Sequence, residues 1–174
     1  GSRVTVQNGT PESTVSQATR SLAANGGKAD PDTLYTVWTG ANDIFAIAGA
    51  GAPAQQTIAT AVGGVVQIVG TLDAAGARYI LVPNLPDMGL TPNAIAAGPA
   101  GQVALTQLAA TYNAAMYGAL AQGGYRIIPL DTFTVLREIV ASPATYGLRN
   151  VTQTAWLPPR GSSLPSNPTS LGAP

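Results

Sequence analysis

Three short apolar runs, at residues 34–39, 79–83 and 126–130, limit most strongly what this chain can fold into. Each has the length of a strand, is rich in β-branched or aromatic residues, and is apolar at odd and even positions alike. That is the pattern of a strand buried on both faces of a parallel sheet. The runs begin about 45 residues apart, which leaves room for the helical crossover that parallel neighbours require.

The stretches between them read as helices. Thr10-Pro11-Glu12 opens the first with a capping residue, a proline in the first turn and an early acid. Val15, Ala18 and Leu22 then recur at helical spacing until Asn25-Gly26-Gly27 ends it. Residues 52–77 and 98–123 are longer, alanine-rich segments, and 132–141 is a shorter fourth one. The alternation predicts an α/β fold, a three-layer α/β/α sandwich with right-handed crossovers. Residues 157–174 carry five prolines and four serines and read as a loop or tail. The whole chain, 1–174, is expected to be one domain or part of one.

Composition excludes several functions. Only 9% of the residues are charged, the formal net charge is zero, and Lys28 is the single lysine. Phosphate-backbone binding needs several cations on one face, so nucleic acid is not an expected partner. There is no cysteine and no histidine. Thiolate chemistry is thereby ruled out, and with histidine goes the commonest general base and the commonest metal ligand. The longest strongly apolar run, 62–69, is broken by Gly63 and Gly64 and is too short to span a bilayer.

In an open α/β sheet, ligands bind beyond the carboxyl ends of the strands, so the informative residues follow each apolar run. After the first comes Gly40-Ala41-Asn42-Asp43. A glycine there permits a tight turn, and an Asn on that turn can aim its side-chain N–H at a developing oxyanion. Taken alone, Asn-Asp after a strand is more often a turn or a helix cap. Gly49-x-Gly51-x-x-Ala54 fits a relaxed dinucleotide pattern but lacks the strand that must precede it. Asn8-Gly9-Thr10 and Asn150-Val151-Thr152 are sequons of the kind that arise by chance. Asp30, Asp32, Asp73, Asp87 and Asp131 are too dispersed for a metal site. No cofactor is expected.

The order of these segments resembles the SGNH/GDSL hydrolase family over roughly residues 15–152. Tyr35-Thr36-Val37-Trp38-Thr39-Gly40-Ala41-Asn42-Asp43-Ile44 is similar to its third conserved block. Leu81-Val82-Pro83-Asn84-Leu85-Pro86, followed by Gly89-Leu90-Thr91-Pro92, is similar to the next strand and loop. Tyr112-Asn113 matches an aromatic-Asn pair on the following helix, and Asp131 onward resembles the last helix. The resemblance implies a flavodoxin-like sheet and a secreted or cell-surface serine esterase or lipase of bacterial type. The subgroup includes the passenger domains of outer-membrane autotransporters.

By the same resemblance Asn42 is the oxyanion-hole Asn, with Gly40 and Asp43 shaping its turn. Gly1 is either the last glycine of the second block, which supplies a backbone oxyanion donor, or part of a Gly-Ser cloning scar. Ile44, Pro83, Asn84 and Leu85 are candidate substrate contacts, and Met88 and Leu90 candidate acyl-pocket residues. The family's Gly-Asp-Ser nucleophile turn and its Asp-x-x-His block do not occur in these residues. The expectation is therefore an ester- or lipid-hydrolysing parent protein, completed by N- and C-terminal segments of the same protein. This chain alone would be inert. The alternative expectation is a binding or surface-display module on the same fold, motivated by the missing blocks.

Overall fold

A computed structural model describes residues 2–5 and 12–153 of the chain. Six α-helices alternate with three strands: α1 (Thr14–Ala24), β1 (Leu34–Thr36), α2 (Ala41–Ala50), α3 (Ala54–Ala74), β2 (Tyr79–Pro83), α4 (Pro92–Ala96), α5 (Gly98–Gln122), β3 (Ile128–Leu130) and α6 (Thr132–Ala141). The strands form one parallel sheet in the order β1-β2-β3. Consecutive parallel neighbours joined by α2–α3 and α4–α5 are the expected crossovers, so this is an α/β fold with an incomplete flavodoxin-like sheet.

Several boundaries differ from the expectation. The first helix begins at Thr14, where the Ser13 hydroxyl accepts from Ser16 N and caps it; of the expected start, Thr10 and Pro11 lie outside the described residues. The strand expected at 34–39 is three residues long, although Val37 N continues its ladder by donating to Leu81 O at 2.8 Å. The strand expected at 126–130 is confined to Ile128–Leu130.

Burial on both faces holds for neither outer strand. Leu34, Tyr79, Ile128 and Leu130 lie on one face of the register and are all exposed, Leu34 at 55%. On the opposite face Tyr35 is half-buried, and Ile80 and Val82 are buried in the core cluster that also holds residues of α1, α3 and α5. On the first face only Pro83 is buried and Leu81 half-buried, so the third layer of the expected sandwich is incomplete among the described residues.

α3 is the centre of the core. Its 21 residues are long and apolar enough to cross a membrane by length and composition, a longer segment than the run at 62–69 suggested. Half of it is inside the fold, with Ala61, Val65 and Val69 fully covered. Two adjacent glycines on this helix separate its faces. A Cβ on Gly63 would meet nothing within 4 Å, whereas one on Gly64 would lie 2.7 Å from Val4 Cγ1 and 2.5 Å from Thr5 Cγ2. Gly63→Ala is therefore expected to stabilise the fold by about 0.5–1 kcal/mol, through lower unfolded-state entropy. Gly64→Ala should cost about 1–3 kcal/mol through overpacking. Urea midpoints of the two variants should move in opposite directions.

Gly49-x-Gly51-x-x-Ala54 is a helix–helix turn: Gly49 is in α2, Gly51 caps that helix with φ 65°, and Ala54 starts α3. The helix α2, not a strand, leads into it, so its dinucleotide reading is excluded. Gly1, the triplet Asn8-Gly9-Thr10 and residues 157–174 lie outside the described residues.

Candidate active site

The site is built at the carboxyl end of β1, where the chain must turn sharply into α2. Gly40 makes that turn with φ 114°, a conformation side chains rarely adopt, and its carbonyl accepts from Asp43 N and Ile44 N. The turn rests on the ring of Tyr112 from α5, so closely that a Cβ on Gly40 would stand 2.5 Å from the ring's Cζ and Oη. Tyr112 is wholly buried and donates its hydroxyl to Thr39 O at 3.1 Å. Burial, reinforced by the Asp43 charge, pushes this phenol far above its ordinary range, so it stays protonated and remains a donor.

Asn42 and Asp43 occupy the first turn of α2, and both reach across to residues 2–4. Asn42 Nδ2 donates to Ser2 O at 2.7 Å. The Asp43 carboxylate, 2% exposed, accepts from Arg3 Nε on Oδ1 and from Val4 N on Oδ2, each at 3.0 Å. From the other side, Thr14 N and Val15 N donate to Arg3 O and Val4 O. Residues 2–4 are therefore stapled between the N-terminal ends of α1 and α2. Asp43 does more than shape a turn, and it ties Arg3 and Val4, which directly follow the candidate second-block Gly1-Ser2, to the site.

The remaining candidates are held elsewhere. Ile44 is fully buried, as are Pro83 and Leu85 to within a few per cent or near it, and Met88 is in the core. Leu85 exchanges two backbone hydrogen bonds with the Asn113 amide, at 2.7 and 2.8 Å. Asn84 spends its side chain on the junction between β3 and α6: Nδ2 donates to Asp131 Oδ1, while Oδ1 accepts from Thr132 Oγ1 and Phe133 N. Asp131 also caps α6, and hydrogen bonds from Thr134 and Asn84 hold its carboxyl below the usual range. Asp87 caps the 3-10 turn Met88–Leu90 and also accepts from Thr106 Oγ1. These acids act as caps, and no metal-binding cluster occurs among the described residues.

Beside α2 lies an apolar cavity of about 560 Å³, within the ordinary range for small-molecule sites. Phe45, Leu105 and Leu108 are its large lining residues, and Asn93 its polar one. Phe45 follows Asn42 by three positions, on the same side of the helix. The sequence candidates Met88 and Leu90 do not line it.

A family model described as GDSL-like Lipase/Acylhydrolase matches residues 4–155, most of the chain. The chain belongs to this family. Its relatives include an esterase named EstA in Pseudomonas aeruginosa and another in Pseudomonas putida, each 40% identical over 139 residues. Each match covers 72% of this chain and 19% of the relative. A protein named Lipase 1 in Photorhabdus luminescens is 37% identical over 71 residues, 41% of this chain and 11% of that protein. The chain thus spans about one fifth or less of the length of these curated relatives. The family is one of GDSL-like lipases and acylhydrolases.

Proposed function

We propose that the full-length protein carrying this chain hydrolyses carboxylic esters by serine catalysis, with Asn42 as an oxyanion donor. The observation that supports this reading most directly is the aim of the Asn42 amide. It leaves a turn held by Gly40 at the end of β1 and points an N–H at a carbonyl oxygen 2.7 Å away. An oxyanion needs such a donor, fixed before the reaction begins. The nucleophilic Ser and the proton-shuttling His are supplied outside these 174 residues, since the chain has no His. Leu34, Tyr79, Ile128 and Leu130, exposed on one face of the sheet among the described residues, support the same view, because they offer N- and C-terminal segments of the same protein an apolar surface to cover. The cavity beside Phe45 suits the acyl chain of an ester or lipid substrate. A secreted or cell-surface location goes with this reading.

Labelling tests it. The full-length protein should react covalently with a fluorophosphonate and release a burst of p-nitrophenol from a short-chain ester. This chain alone should do neither. Failure of the full-length protein to label would sink the enzyme reading and leave the fold as a binding module.

A further inference from the structure

Resting on the role proposed for Asn42, we propose that Asp43 is the positioning residue of the oxyanion site. Its carboxylate fixes the backbone of residues 2–4 beside Asn42, and so sets where the donors stand. A helix-terminal acid serving only the helix dipole stays exposed at the first turn. Asp43 is instead buried, and both of its oxygens are spent on residues about 40 positions away in the sequence. Burial of a carboxylate is costly unless it is paired and hydrogen-bonded, and here Arg3 supplies the charge and Val4 N the second bond.

The coupling to Asn42 is direct. Two adjacent side chains on one rigid turn make three bonds to three consecutive residues: Asn42 to Ser2 O, and Asp43 to Arg3 Nε and Val4 N. Neither side chain can shift without moving the segment the other holds. Val4 closes the clamp, since it is fully buried against Gly64 of α3. Loss of the Asp43 carboxylate would leave the Val4 N–H buried without its acceptor and free the segment that Asn42 leans on.

The experiment uses the full-length protein, with kcat counted per site titrated by a fluorophosphonate so that misfolded molecules do not enter. Asp43→Asn keeps the shape but loses the charge that attracts Arg3. It should lower kcat by about 10- to 100-fold, the scale of a misplaced catalytic group, with KM within about twofold. A boronic-acid mimic of the tetrahedral intermediate should lose affinity by a similar factor. Arg3→Met removes the Oδ1 partner and spares the Val4 bond, so a smaller loss of the same kind, about 3- to 10-fold, is expected. It also serves where the Asp43 variant does not fold. Unchanged kcat per site and unchanged mimic affinity would overturn the proposal, even with a lowered Tm, because a purely structural acid gives that result. If Asn42→Ala is also without effect, the oxyanion reading itself has failed. If Asn42→Ala is damaging and the Asp43 and Arg3 variants are not, only the positioning role has.

Discussion

Asn42→Ala in the full-length protein is expected to lower kcat by about 100- to 1000-fold, the cost of removing one oxyanion donor. KM should hardly move. The reason is that the ground-state ester carbonyl is a weak acceptor, while the tetrahedral intermediate puts a full charge on that oxygen. A donor already pinned in place favours the second far more than the first. The amide is pinned here: it sits on a turn whose Gly40 carbonyl is bonded to Asp43 N and Ile44 N, and Ser2 O holds its orientation. Asn42→Asp should be at least as damaging, since a carboxylate in the same place repels the developing charge. Measured kcat for both variants against a p-nitrophenyl ester decides the matter. A loss below about threefold for Asn42→Ala would remove it from the mechanism.

Much of this site was legible in the sequence, but unevenly. Helix α6 starts at Thr132 and ends at Ala141, the bounds expected for the fourth helical stretch. Tyr112-Asn113 stood out by resemblance, and the two side chains anchor the loops after β1 and β2 through Thr39 O and Leu85. Asp43 was legible as part of a turn and illegible as a clamp. Its partners Arg3 and Val4 are remote in sequence, and an arginine two residues into a chain carries no signal of what it will meet. Asn84, a candidate substrate contact by resemblance, bonds through its side chain to Asp131, Thr132 and Phe133 nearly 50 residues away, partners that nothing in the local sequence shows. The outer strands were expected to be buried because their sequences are those of central strands. Leu34 and Ile128 are exposed where no further layer covers them among the described residues.

Gly40→Ala is expected to be the most destabilising single methyl group that can be added near the site. Two penalties act together. The backbone at φ 114° is strained for any residue with a Cβ, at about 1–3 kcal/mol. The new Cβ would also fall 2.5 Å from Tyr112 Cζ, a ring atom that cannot swing aside while its hydroxyl is bonded to Thr39 O and the residue is fully buried. Overpacking of this kind adds about 1–3 kcal/mol. A combined loss of about 2–6 kcal/mol would take much of the stability of an ordinary domain. Gly49→Ala on the same helix is the control: its Cβ meets nothing within 4 Å and its backbone is not in the positive-φ region, so it should be neutral or mildly stabilising. The two penalties separate in a double-mutant cycle with Tyr112→Leu, which removes the ring. If the clash matters, Gly40→Ala costs less in that background than alone, and the remainder is backbone strain. Equal urea midpoints for Gly40→Ala and Gly49→Ala would contradict both the turn geometry and the role of Tyr112 beneath it.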